Sequence, residues 1–504
     1  MRGAGATLFA QAATYSVQLG ALSVLARLLV PSDFGLMALV TTFSIFLASI
    51  VQIGIPEAIL QREDIDTRVA SNIFWTALGL AAGLTVAFAA TGLPLAKLYG
   101  DPRISRVVEI SSVSIFFTGA SVVHVALLDR AMHYSANAAN TFASRLISVV
   151  VAVLLARGGA GYWALVGGVI AQPLAYAIGA WSLCWWIPMF PRRANGTKSL
   201  LSFALNVNAM GNITYWTRNM DNLLVGWRFG SSTLGFYKKA YDLFMLPTNQ
   251  MLSLFPVAVS TLSRLTRDPA RYRQYLLGGL SALALLGMGA AGALTLVGGD
   301  VVRLILGPAW GTSGLIFRFF APGIGVLLIY RATTMIHLSI GTPGRLLRWT
   351  ILEFAVTGLL FLIGLHWGAV GVAAAWTVSP CILLIPAFRY AGKPIQLHIS
   401  LVLEAIWRPV LASAVAGIAS AVSLKAASLP LTNGVHDALV RVLTQSLLFL
   451  VLYTGTIIAL YGGCKPLYSL TNLFREMLPF GRNLGSQPAD LDGLEAGVQT
   501  PTIT

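Results

Sequence analysis

Residues 215–230 read YWTRNMDNLLVGWRFG and close a long apolar run covering about 200–228. Asn208, Asn212, Tyr215, Asn219 and Asn222 recur in that run at spacings of four and three, which puts them on one face of a helix. Arg218 and Asp221, spaced i,i+3, flank this stripe. Amide and phenol groups hydrogen-bond the hydroxyls of a sugar-like ligand, and Arg grips phosphate or carboxylate oxygens. With a midplane near residue 214, Arg218 lies roughly 6 Å and Asp221 roughly 10 Å toward one end, at about 1.5 Å of rise per residue. Ionisable groups at that depth mark a bundle interior or a wet cavity. The alternative is an Arg218–Asp221 pair that holds helices together, with the Asn residues as interhelical glue. Glue seldom needs so many polar residues on one face, so a cavity wall is the preferred reading.

Weaker candidates surround this one. Gln11, Tyr15 and Gln18, with Thr14 beside them, form a shorter polar stripe in the first apolar run. Arg145, Arg318, Arg331 and Glu353 also sit in apolar runs, where snorkelling or a structural pair is the favoured role. Chemistry of other kinds finds no support. No G-x-x-x-x-G-K-[ST] occurs, the histidines lack ligand spacing, and nothing looks like a triad. The DID of Asp64–Asp66 lies in a loop too short for a nucleotide-binding domain and reads as solvated charge. No cofactor and no metal site are expected.

These side chains need elements that carry them through a bilayer. The 504 residues are 56% hydrophobic and 11% charged, with a mean hydropathy of +0.75. Apolar runs long enough to span recur from end to end, so the chain is an all-α polytopic membrane protein. Fourteen helices are expected, roughly over 8–29, 36–59, 70–96, 107–128, 135–156, 161–187, 200–228, 235–262, 273–297, 312–339, 345–366, 369–390, 401–424 and 439–463. The net charge of +15 fits basic loops against anionic headgroups better than nucleic acid, which is not an expected partner. Cys184, Cys381 and Cys464 suggest no disulfide framework. The even-numbered loops and the tail gather most of the Lys and Arg, including Arg62, Arg130, Arg264, Arg271, Arg345 and Lys393. Lys238 and Lys239 are assigned to the edge of an odd-numbered loop. The positive-inside rule then puts both termini in the cytoplasm. Residues 467–480 read as an interfacial helix, and the chain from about Asn483 as disordered.

The two halves echo each other. SDFGLMALV at 32–40 follows span one and STLGFYKKA at 232–240 follows span seven, so that Gly35 matches Gly235 at an offset of 200. The same offset pairs Pro56 with Pro256. The expected organisation is an N-lobe over 1–190, a C-lobe over 191–395, two extra spans over 396–465 and a cytoplasmic tail over 466–504. An offset of six spans preserves orientation, so the repeats are parallel, about an axis along the membrane normal, with a substrate site between them.

The stretch TRNMDNLLVGWRFGSSTLGFYKKAYDLFMLP resembles the span-seven to span-eight signature of bacterial polysaccharide flippases. These are the O-antigen and exopolysaccharide repeat-unit transporters of the multidrug/oligosaccharidyl-lipid/polysaccharide exporter superfamily. LARLLVPSDFGLMAL (25–39), GIPEAILQRED (54–64), FPVAVSTLSRLTRDPARYRQ (255–274) and LILGPAWGTSGLIFRFFAPG (304–323) resemble it too. The resemblance implies a V-shaped, MATE-like bundle of two pseudo-symmetric six-helix lobes plus two C-terminal helices. It implies movement of undecaprenyl-diphosphate-linked oligosaccharide to the periplasmic leaflet, coupled in some members to proton or cation antiport. A polysaccharide polymerase and a chain-length regulator are the implied partners. Arg218 and Asp221 become cavity residues, and Arg27 a structural or headgroup-facing one. A peptidoglycan-precursor flippase would carry a more basic span one, a small-molecule efflux pump would have twelve spans, and a glycan polymerase or ligase would carry a large outer loop.

Overall fold

The structure, a computed structural model, describes residues 17–52, 54–60, 66–191, 197–252, 255–427, 434–464 and 468, with the side chains of 57, 58, 197–211 and 424–427 left out. Gln11, Tyr15, the Asn208 side chain, and the expected interfacial helix and tail lie outside the described residues. Regular structure among the described residues is entirely helical. Helices α1 (Val17–Leu28), α2 (Pro31–Gln52), α3 (Ile55–Leu60), α4 (Thr67–Ala90), α5 (Gly92–Tyr99), α6 (Arg103–Ser111), α7 (Val113–Arg130), α8 (Tyr134–Arg157) and α9 (Trp163–Leu183) form the N-terminal half. The C-terminal half holds α10 (Thr197–Leu252), α11 (Phe255–Arg264), α12 (Pro269–Leu306), α13 (Gly311–Phe320), α14 (Gly323–Ser339), α15 (Pro343–Gly364) and α16 (Gly368–Gly392). Two further helices, α17 (Ile399–Ala427) and α18 (Val435–Tyr461), pack on α12.

Ten stretches of helix among the described residues are long and apolar enough to cross a bilayer, or 11 if the bent pair α13–α14 is one span. Two of them, Asn212–Arg264 and Pro343–Ile395, each cover two expected spans. With Val17–Leu28, every one of the fourteen expected segments holds helix.

The largest departure from expectation is between spans seven and eight. The polar SSTLG after Gly230 reads as a loop, yet α10 continues through it and breaks at Gly230 alone (φ 80°, ψ 175°). Only glycine adopts that backbone conformation freely, so one residue does the work of a turn. Lys238 and Lys239 lie within α10, as the expected span over 235–262 has them, but with no loop before them, and α12 runs nine residues past its expected end to Leu306.

The halves meet along α2 and α10. The face of the molecule carrying Arg130, Arg264 and Arg345 is called the basic face below, and the other the opposite face. At the opposite face a Cβ on Gly35 would overlap the Ser231 carbonyl, and a Cβ on Gly235 would overlap the Pro31 carbonyl. Residues 31 and 35 differ from 231 and 235 by the repeat offset, so the two halves exchange the same contact. Small residues let backbones approach this closely where no water drives association. Three more bonds close this end. Ser23 Oγ donates to the Ile305 carbonyl at 2.6 Å, Trp310 Nε1 to that of Ala26 at 2.8 Å, and Arg27 to that of Leu304 at 3.1 Å. Arg27 is thus a structural residue at the exposed edge of the seam. Phe34 and Phe236, one from each half, meet Trp310 edge-on at 5.4 and 5.7 Å.

Candidate functional site

The first arm of α10 presents two faces to the C-terminal half, one carrying Arg218 and the other Asp221. On the Arg218 side a cavity of about 250 Å³ is walled by α10, α14 and α15. Its polar lining is Thr214, Thr217, Arg218, Arg331, Thr334, Thr350 and Glu353, with Leu252, Phe255 and Leu346 toward the basic face. Arg331 lies 3.6 Å from a Glu353 oxygen, a distance of ion pairing rather than hydrogen bonding, and both side chains are largely buried. No carboxylate stands within 4.0 Å of Arg218 among the described residues. Two guanidinium groups thus share the chamber with one carboxylate. Such a space favours an anionic ligand rich in acceptor oxygens, since Arg forks match phosphate and carboxylate geometry.

Asp221 points elsewhere and is fully buried. Its Oδ2 accepts from Tyr237 Oη at 2.7 Å and from Trp376 Nε1 at 2.8 Å, and its Oδ1 accepts from the Asn222 backbone N–H at 2.8 Å. The i,i+3 spacing suggested an Arg218–Asp221 pair, but the structure does not bring the two side chains together. A three-residue step leaves neighbours about 60° apart around a 3.6-residue helix, and here each is drawn to a different helix. Trp376, on α16, touches both regions: it holds Asp221 and also lines a crevice of about 20 Å³ with Arg331 and Glu353, room for about one water.

A second charged cluster sits beyond the Gly230 break. Lys238 Nζ donates to Asp242 Oδ1 at 2.7 Å and Lys239 Nζ to Oδ2 at 3.4 Å. Lys239 is buried and also lies over the Phe34 ring of α2, 4.3 Å from its centroid, so its charge is shared with the N-terminal half. Lys238 lies 5.0 Å from the Tyr241 ring.

The described part of the stripe lines the seam with α2. Tyr215 Oη donates to the Thr42 carbonyl at 2.5 Å, across the two halves. Asn219 Nδ2 donates to the Tyr215 carbonyl, and Asn222 is buried beside it. Among the described residues, Asn212 Oδ1 and Asn222 Oδ1 are buried acceptors with no hydrogen-bond partner, the state of groups that gain a donor when their surroundings change. Trp216 meets Phe46 at 4.8 Å on the same seam. Gln18 is exposed on α1, Arg145 is exposed on α8, and Arg318 is exposed on α13 beyond the chamber. Arg331 and Glu353 join Arg218.

Sequence reasoning missed Tyr237, Trp376 and the Lys238–Lys239–Asp242 cluster. The i,i+4 spacing of Lys238 and Asp242 was a usable signal. Trp376 carried none, being 155 residues from the carboxylate it serves.

The sequence profile of a family described as "Polysaccharide biosynthesis protein" matches residues 24–314. The succinoglycan biosynthesis transport protein ExoT of Rhizobium meliloti is 22% identical over 376 residues, covering 74% of this chain and 76% of its own. Among solved structures, the lipid II flippase MurJ in an inward closed conformation aligns over 90% of this chain and 99% of its own, with a TM-score of 0.72 and 14% identity. An inward-facing multidrug resistance MATE transporter aligns over 76% and 94%, with a TM-score of 0.62 and 16% identity. These two likenesses show the fold.

Proposed function

The chain belongs to the polysaccharide biosynthesis protein family, and from that premise we propose that it is a lipid-linked oligosaccharide flippase. It moves undecaprenyl-diphosphate-linked repeat units from the cytoplasmic to the periplasmic leaflet of a bacterial inner membrane, supplying exopolysaccharide or lipopolysaccharide assembly. A hydrophilic glycan cannot cross hydrocarbon unaided, whereas its polyprenyl tail can stay in lipid. The protein supplies a polar cavity for the head and needs no covalent chemistry.

The observation that carries this reading is the Arg218–Arg331–Glu353 chamber: a polar, net-basic space within the C-terminal half, bordered by residues of the basic face. With the basic face toward the cytoplasm, the chamber receives the diphosphate or an acidic sugar from that side while the glycine seam keeps the periplasmic side shut. Arg218 and Arg331 hold phosphate or carboxylate oxygens, Thr hydroxyls meet the glycan, and separation of the halves exposes Asn212, Tyr215, Asn219 and Asn222 to it. Asp221 is the group for coupling to a proton or cation gradient. Its hydrogen bonds come from neutral donors on both arms of α10 and on α16, so its state reports on their packing.

The test is the lipid-linked sugar pool of a strain depleted of the protein and complemented with wild type or Arg218→Ala. A diphosphate-linked oligosaccharide accumulates on depletion and is cleared by wild type only. Accumulated peptidoglycan precursor would instead assign that cargo, and an unchanged pool in a strain without a redundant flippase would overturn the reading.

A further inference from the structure

We propose that the opposite face carries a binding site for the phosphate group of a membrane lipid, built where α18 docks on α12. The inference stands apart from the transport reading. A cavity of about 560 Å³ opens there between α12, α13 and α18, within the usual size range of small-molecule sites. Three guanidinium groups, Arg303, Arg318 and Arg441, face it, with one carboxylate, Asp300. Arg441 and Asp300 form a fork, Nε to Oδ2 at 3.1 Å and Nη2 to Oδ1 at 2.7 Å. That pair joins α18 to α12. Asp437, one turn before Arg441, adds to the negative charge around that guanidinium.

Arg318 is seated by a specific arrangement of backbone. A Cβ on Gly299 would lie 3.0 Å from an Arg318 terminal nitrogen, and one on Gly314 would lie 3.1 Å from the Gly299 Cα. Two facing glycines therefore make the room in which the guanidinium lies across α12. Depth names the ligand. The 27 residues of α18 extend roughly 40 Å at about 1.5 Å per residue, against about 30 Å of hydrocarbon. Arg441 is six residues inside the helix start, roughly 9 Å, within a turn or two of the hydrocarbon boundary. The lining also carries apolar residues, Leu296 one turn deeper along α12 than Asp300 and Leu315, which is 51% exposed. Guanidinium groups beside aliphatic side chains match a phosphate headgroup with its acyl chains.

The experiment uses the full chain in detergent and measures retention of phosphatidylglycerol by native mass spectrometry, against phosphatidylcholine and against soluble glycerol phosphate. The variants are Arg318→Gln and the double Arg303→Gln/Arg318→Gln; Arg441 and Asp300 are left intact because they join two helices. Affinity for phosphatidylglycerol drops about tenfold in the double variant, with Arg318→Gln intermediate and phosphatidylcholine unaffected. Displacement by undecaprenyl diphosphate extends the site to diphosphate lipids, and failure to displace restricts it to phospholipids. Should the double variant not fold, Arg318→Gln alone decides. Phosphatidylglycerol retained at the wild-type level in the folded variants, or glycerol phosphate bound as tightly as the lipid, overturns the proposal.

Discussion

The two halves touch through the same residues of a repeat, Gly35 and Gly235, yet their interiors differ. Buried polar groups of the N-terminal half are mainly Ser, Thr and Asn, with Asp33 at a helix start and His124 stacked 4.2 Å from Trp181. The C-terminal half holds Arg218, Asp221, Lys239, Asp242, Arg331 and Glu353 within or beside its core, along with Lys238. Backbone geometry has been kept where the halves must fit each other. Among the described residues, buried charge is concentrated in the C-terminal half, Asp33 being the exception in the other. The repeat therefore governs closure, and the asymmetry governs what is held.

The seam is the sharpest place to break that comparison. Because each glycine meets backbone of the other half, even one added methyl group forces the halves apart. Gly35→Ala and Gly235→Ala are each expected to lower export by more than about tenfold. Both should also expose a cysteine placed at Ser231 to a water-soluble maleimide from the opposite face. Unequal losses, in export or in labelling, would remove the symmetry from the closure.

The next largest effect belongs to the charged half. Arg331→Ala removes one of two guanidinium groups from the chamber and leaves Glu353 without its ion-pair partner. Export in cells is expected to fall about tenfold or more, since a buried carboxylate without its cation is strongly unfavourable. Glu353→Gln leaves two unbalanced cations and should instead tighten retention of acidic lipid-linked glycan. If both substitutions behave alike, the chamber serves packing and not ligand charge.

Asp221 gives a smaller and more specific outcome. Asp221→Asn keeps an acceptor for Tyr237 and Trp376 but cannot exchange a proton. Uptake of lipid-linked glycan analogues into proteoliposomes should lose its dependence on an imposed gradient while the ungated rate stays measurable. Tyr237→Phe and Trp376→Phe, each deleting one donor, should shift that dependence without abolishing it. Wild-type gradient dependence in Asp221→Asn would place coupling elsewhere.

Much of this was legible in sequence, for identifiable reasons. Apolar runs and Gly or Pro turns located helix in every expected segment, because hydrocarbon imposes length and composition directly. Gly35 and Gly235 were visible as an echo, but nothing in either half says that the copies touch. Arg331 and Glu353 were each visible as isolated charges; their pairing, across two helices, was not. The SSTLG segment misled because polar small residues read as loop, while a single positive-φ glycine sufficed to break the helix. Lys239 was counted only as a charge at a loop edge, whereas it lies over Phe34 and beside Asp242. For Arg331 with Glu353 and for Lys239 over Phe34, the deciding partner comes from another helix, outside the local window.

The smallest expected effect lies at the rim of the seam. Arg103 forks to Asp101 at 3.0 and 2.7 Å and reaches Ser231 Oγ of the other half at 3.5 Å. The hydrogen bond from Arg103 holds the Asp101 carboxyl below its ordinary value, against the opposing effect of burial. A depressed carboxylate contributes stability above its unfolded pKa, about 4, and loses it as pH falls through the folded value. The seam should therefore loosen only below about pH 4, where protonated Asp101 no longer fixes Arg103. Because Arg103 is partly exposed, solvent screens the pair and the effect is modest. Deuterium labelling of the 231–235 backbone, corrected for the intrinsic pH dependence of exchange, measures it. Asp101→Asn should raise labelling at neutral pH to the acid-state level and remove the pH dependence, while Gly35→Ala raises it at every pH. An unchanged profile in Asp101→Asn would leave the glycine contact alone in closing this end.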